Sequence, residues 1–159
     1  MDITRLYGVA MKYDYKMVNI YIDKNGTLYV VPTGESKKFG GAIVDLDLIV
    51  KLDFPYSDND LENSLMRAIE DCFSIEPNVS LSVSALERFL NIKGFSKAVK
   101  DKRLVILEWN CDEGYFFLPT KKLTKQGFEH LESEKIYVGK KLIKGVLSNK
   151  FMDAIKLSK

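Results

Sequence analysis

Hydrophobic and polar positions run through this chain in two rhythms, and each change of rhythm marks an element. Two unbroken apolar runs, Leu104, Val105, Ile106, Leu107 and Tyr115, Phe116, Phe117, Leu118, flank the polar stretch Asn110-Cys111-Asp112-Glu113-Gly114. Two β-prone runs joined by a glycine-ended turn predict a hairpin over residues 103–120. Because neither run alternates, both faces of its strands should be covered, which places it centrally in a sheet. A looser copy occupies residues 18–23 and 27–33, joined by Lys24-Asn25-Gly26. Val18, Ile20 and Ile22 alternate there with Asn19, Tyr21 and Asp23, the pattern of a half-buried strand. Asn25-Gly26 predicts a type I′ turn with positive φ at both residues.

Both hairpins end in Pro-Thr, at Pro32-Thr33 and Pro119-Thr120. Each is followed by a loop containing Lys and Gly, a third strand (residues 43–46 and 136–138) and an amphipathic helix. The recurrence reads either as two related hairpin–strand–helix halves or as chance repetition in a β-rich chain.

Between these landmarks the helices are marked by caps and stripes. Residues 1–16 are poorly patterned, although Leu6, Tyr7, Val9 and Met11 could start a strand or cover an edge. Residues 34–41 read as a polar loop, and the strand at 43–46 can extend toward Leu52. Ser57 and Asp58 offer N-caps, with Asp60 and Glu62 suiting the positive end of a helix. Leu61, Leu65, Met66, Ile69 and Phe73 form its apolar stripe, and Pro77 stops continuation. Ser84 and Glu87 fit a capping box, with Leu86, Phe89 and Leu90 as a short buried face. Gly94 suits that helix's end, and Ser96 caps a further turn through Ala98 and Val99. Residues 121–134 read as loop. A last helix is predicted from about Lys140 through Leu142, Ile143, Val146 and Leu147, weakened at Gly145 and breaking at Asn149 before Phe151, Met152 and Ile155. No linker divides the chain. The pattern predicts one α+β domain over residues 1–159, its helices packed on a largely antiparallel sheet.

The 159 residues are 46% apolar and 29% charged, enough for one proper core. No apolar run reaches bilayer length, the N-terminal residues lack a secretory core, and two cysteines suit reduced thiols. Together these predict a cytoplasmic protein. Charge changes the picture more. Residues 45–76 hold nine acidic side chains against Lys51 and Arg67, while residues 93–159 hold fifteen basic against eight acidic. Such polarity can steer a charged partner to one region, although solvated faces give the same count.

Catalytic chemistry is hard to find. His130, the only histidine, has no nearby Ser or Cys partner, and one histidine with two distant cysteines completes neither an HExxH site nor a zinc site. The 34–41 loop lacks the Gly-Lys-Ser/Thr ending of a phosphate cradle. Val138-Gly139-Lys140-Lys141, where a strand enters a helix, could hold an anion on exposed N–H groups. No catalytic residue, metal or cofactor is predicted, so the chain reads as a non-enzyme. The basic C-terminal half, with Trp109, Tyr115, Phe116, Phe117 and Tyr137, suits an RNA- or single-strand-binding module, yet most of these aromatics are more simply core. Asp45, Asp47, Asp53, Asp58, Asp60 and Glu62 form a candidate binding patch for a basic protein such as a nuclease, their carboxylates imitating phosphates.

The chain resembles the immunity proteins of bacterial contact-dependent growth inhibition systems. The resemblance rests on the tyrosine-containing strand into Val31-Pro32-Thr33, the Phe39-Gly40-Gly41 loop and the helix over residues 60–73. It continues in Gly94-Phe95-Ser96-Lys97-Ala98-Val99, the central hairpin, and residues 138–147 with Gly145. It spans most of the chain. It implies a cytoplasmic, non-enzymatic inhibitor that binds the C-terminal toxin domain of a cognate effector, many such toxins being nucleases. No interface residue transfers from the family by this resemblance, and the net charge of +2 departs from the acidic balance of a simple nucleic-acid mimic.

Overall fold

A computed structural model describes residues 14–77, 83–124 and 127–159. Leu6, Tyr7, Val9 and Met11 therefore lie outside the described residues. Among the described residues eight strands form one antiparallel sheet: β1 (Tyr15–Ile22), β2 (Leu28–Ser36), β3 (Ala42–Asp45), β4 (Val50–Leu52), β5 (Arg103–Asn110), β6 (Gly114–Lys122), β7 (Phe128–His130) and β8 (Ile136–Gly139). The order is β3-β2-β1-β5-β6-β7, with β4 also pairing β2 and β8 also pairing β6. Among the described residues four α-helices pack on this α+β domain's sheet: α1 (Asp58–Asp71), α2 (Ala85–Leu90), α3 (Phe95–Ala98) and α4 (Val146–Leu157).

Both predicted hairpins form, β1–β2 and β5–β6, and they meet through the long β1–β5 ladder. Alternation divides the inward positions between two cores. Val18, Ile20, Leu28, Val30, Val105, Leu107 and Phe117 face α1 and α4, which contribute Leu61, Leu65, Ala68, Leu147, Phe151 and Ala154. Tyr21, Val31, Leu104, Ile106 and Leu118 face the other way, under Leu86 of α2 and Ala98 of α3. Both faces of the central strands are covered, as their unbroken apolar runs require. Phe117 and Phe151 meet with ring centroids 5.5 Å apart at the centre of the larger core.

The order reads alike from either edge, because β2 carries β3 and β4 as β6 carries β7 and β8. Thr33 pairs with Asp45 and Thr120 with His130, so the counterpart of β3 is β7. The sequence reading matched residues 43–46 with 136–138 instead, having read residues 121–134 as loop. Residues 50–52 form β4, a strand separate from β3 and the counterpart of β8.

The first turn also differs from its prediction. The Gly26 N–H reaches the Asp23 carbonyl at 3.0 Å, and Gly26 has φ 86°, whereas Asn25 keeps a negative φ. This is a three-residue hairpin loop with glycine at its left-handed position, not a type I′ turn. Its closing Asp23 carboxylate accepts from the N–H groups of Asn25 and Thr27 at 2.8 and 3.0 Å.

Helix α1 starts where Ser57 predicts, the Ser57 hydroxyl accepting from the Asp60 N–H at 3.0 Å. Helix α2 shows the Ser84–Glu87 capping box in both directions. Phe89, expected buried on α2, is 45% exposed and meets Tyr29 only edge-on. The short helix ends at Asn91 in the left-handed conformation, and Gly94 rather than Ser96 is the N-cap of α3. Helix α4 begins at Val146, later than predicted, with Gly145 as its N-cap at φ 90°, and it runs through Asn149 without a break.

Candidate functional site

The six acidic candidates separate into two groups. Asp45, at the end of β3, accepts a 2.9 Å hydrogen bond from the Asn19 amide, and burial raises its pKa to about 6 against the effect of that bond. Asp47 is held by Arg88 in a two-point ion pair, Nε at 3.0 Å and Nη2 at 3.1 Å. Glu62 reaches from α1 to the N-terminus of α4, where its carboxylate accepts from the N–H groups of Gly145 (2.9 Å) and Ser148 (2.9 Å). Burial works against its charge, but these bonds and Lys144 outweigh it and hold the Glu62 carboxyl below its ordinary value. An anion does occupy a helix N-terminus in this half of the chain, and it is the protein's own carboxylate.

Asp53, Asp58 and Asp60 are the second group. All three are exposed on the segment from the end of β4 into the first turn of α1. Asp53 keeps only a 3.5 Å pair with exposed Lys51, a type of contact that contributes little. Between them stands Phe54, 62% exposed, its ring edge-on to Tyr56 at 5.9 Å and seated against Gly26, where an added Cβ would lie 3.1 Å from the ring. The patch is thus an exposed aromatic flanked by exposed carboxylates. Sequence reasoning found the acids and missed Phe54. Its signal was a lone phenylalanine before proline in a polar stretch.

The basic half is arranged differently from a stacking groove. Phe117 is wholly buried, while Trp109 and Tyr115 pack against the larger core. Phe116 and Tyr137 pack on each other at 5.0 Å, with the Lys135 ammonium 4.8 Å above Phe116 and 3.0 Å from the Glu108 carboxylate. His130 is exposed on β7. Among the described residues no group of three or more His, Cys, Asp or Glu side chains could hold a metal ion, and no helix is long and apolar enough to cross a membrane.

No protein-family model and no curated protein matches the chain. Solved structures do. A protein of unknown function from Neisseria meningitidis superposes with a TM-score of 0.67 at 8% identity, covering 91% of this chain and 96% of that one. One chain of a CdiA-CT/CdiI toxin and immunity complex from Yersinia pseudotuberculosis superposes with a TM-score of 0.66 at 12% identity, covering 91% of this chain and 98% of that one. At these identities the likeness is one of fold, and it extends over nearly the full length of each neighbour.

Proposed function

We propose that this chain is an immunity protein: a non-enzymatic, cytoplasmic inhibitor that binds and neutralises the C-terminal toxin domain of a cognate contact-dependent growth inhibition effector. The observation that carries the reading is the fold shared over 91% of the chain with a member of a toxin and immunity complex. The toxin-facing surface in this proposal is the β4–α1 segment, with Phe54 as apolar anchor and Asp53, Asp58 and Asp60 as the exposed charges around it. Buried aromatic anchors ringed by polar groups dominate binding energy at many interfaces. Exposed carboxylates speed encounter with a basic surface, such as the substrate face of a nuclease. Asp45, Asp47 and Glu62 belong to the same acidic stretch but serve it indirectly, by fixing β3, the β3–β4 connection and α4.

Co-expression with the C-terminal domain of a large exported protein encoded beside this chain tests the reading. Growth rescue together with a co-purifying stoichiometric complex supports it. Toxicity without rescue or complex formation sinks that pairing.

A further inference from the structure

At one end of the sheet β1 turns into β2, β5 begins, and β6 and α4 finish. There a cleft of about 620 Å³ opens between the Asp23–Gly26 turn and residues 101–103. Its wall carries Lys24, Lys102, Arg103, Lys122 and Lys159, against the carboxylates of Asp23 and Asp101. Asp23 Oδ1 accepts from the N–H groups of Asn25 and Thr27 in its own turn. The cations therefore outnumber the acids that could answer them.

Three of these cations are fixed by the backbone. Lys102 Nζ donates to the Ala98 carbonyl at 2.8 Å, Lys122 Nζ to the Val99 carbonyl at 2.6 Å, and Arg103 to the Ile155 carbonyl at 3.0 Å. Ala98 ends α3, Val99 is its C-cap and Ile155 lies in the last turn of α4, so the cations answer the negative ends of both helices. That role takes one N–H from each group, while an ammonium carries three donors and a guanidinium five. Lys102 Nζ also lies 5.5 Å from the Tyr29 ring centroid and Lys122 Nζ 5.8 Å from that of Phe128, and all three side chains line the one cleft. Preordered charge of this kind loses little side-chain entropy when an anion binds.

We propose that this cleft is a binding site for phosphate-type polyanions, recognised by Lys102, Arg103 and Lys122 with Lys24 closing over from the hairpin turn. The site is separate from the β4–α1 surface and stands or falls independently of the immunity reading. Burial holds Lys122 below its ordinary pKa; the neighbouring Asp101 carboxylate opposes the shift, and the Lys102 charge adds a smaller push in the same direction as burial. The depression comes from lost hydration, and an anion bound beside the ammonium would offset it. Charge-assisted hydrogen bonds to phosphate oxygens are the strong class of such contacts.

The test is a titration of the whole chain with inorganic tripolyphosphate and, separately, with a 5′-phosphorylated single-stranded oligonucleotide, read on backbone amide resonances. Saturable shifts are expected at Lys24, Asn25, Gly26, Lys102 and Lys122. Lys122→Gln should weaken binding about tenfold, the loss of one charge-assisted contact. Asp101→Asn should tighten it severalfold; residue 101 has φ 60°, a conformation asparagine tolerates, so this variant keeps the fold. Shifts with both probes assign the site to phosphate groups in general. Shifts with the oligonucleotide alone assign it to nucleic-acid phosphate. The proposal is overturned if neither probe produces saturable shifts at these amides, or if Asp101→Asn and Lys24→Gln bind both probes as the parent does.

Discussion

Thr33 and Thr120 make the same bond in the two halves of the sheet. Each donates its hydroxyl to a main-chain carbonyl across its own hairpin, Thr33 to Met17 and Thr120 to Leu104, both at 2.6 Å. Each carbonyl is approached by a second donor from the end of a helix: Cys72 Sγ reaches Met17 at 3.4 Å, and Ser158 Oγ reaches Leu104 at 3.4 Å. The next residue in each case closes the knot, the Phe73 N–H bonding the Thr33 carbonyl and the Lys159 N–H bonding the Thr120 carbonyl. The Pro-Thr recurrence in the sequence thus marks a repeated junction between hairpin and helix.

Replacing either threonine by valine keeps shape and deletes the donor. Each substitution is expected to cost about 1–2 kcal/mol. Thr33→Val should be the more costly, because the other side-chain donor to the Met17 carbonyl is a thiol, a weaker donor than the Ser158 hydroxyl at Leu104. Urea midpoints for the two variants check the order; equal or inverted losses would break the equivalence of the two knots.

How much of this was legible beforehand follows from how local each signal is. Helix α1 carries its cap, stripe and stop within its own residues, and the hairpins carry their turns. Helix α4 was placed too early because Leu142, Ile143, Val146 and Leu147 keep helical spacing across Gly145. Its true start is set by Glu62, far away in sequence. Strand β7 is three residues long with one apolar side chain, too short to show alternation. The same distance hid the difference among the acids. Nothing local distinguishes Asp47, paired with Arg88, from exposed Asp58, and the exposure of Phe54 depends on which surfaces the fold leaves open.

Glu62 gives a second prediction. Gly145 lacks a side chain to cap α4, so removing the carboxylate leaves two helix N–H groups without their acceptor. Glu62→Ala should cost about 1–2 kcal/mol at pH 7, in the range of a lost N-cap. The folded pKa is lowered, so this stabilisation is present above the unfolded glutamate pKa and disappears as pH falls through the folded value. Denaturation of parent and variant at neutral and strongly acidic pH should show the difference shrinking. A difference that persists in acid rejects the charged-cap account.

Asp45 predicts the opposite slope. Burial raises its folded pKa to about 6, above the unfolded value near 4, so the folded state binds the extra proton between those limits. The cost of burying the charged form is present at neutral pH and is relieved as pH falls from 6 toward 4. Asp45→Asn keeps an oxygen for the Asn19 amide and should stabilise the protein by on the order of 1 kcal/mol at pH 7. The gain should vanish near pH 4. A variant no more stable than the parent at pH 7, measured by thermal or urea unfolding, defeats the prediction.

The proposed toxin-facing surface can be tested without disturbing the fold, provided Asp45, Asp47 and Glu62 are left alone. Phe54 is exposed, so Phe54→Ala should barely change stability yet weaken toxin binding by about 2 kcal/mol or more if it is the anchor. Asp58→Lys and Asp60→Lys remove favourable charge from the first turn of α1 and should each cost about 0.3–1 kcal/mol of stability, an amount measured alongside binding. Their larger effect should fall on association rate, with a weaker dependence on ionic strength than the parent shows. Kinetic binding measurements at two salt concentrations separate the anchor from the steering charges: Phe54→Ala raises dissociation, whereas the charge reversals slow association. Unchanged affinity and salt dependence across all three folded variants would move the interface elsewhere on the chain while leaving the growth-rescue test of immunity untouched.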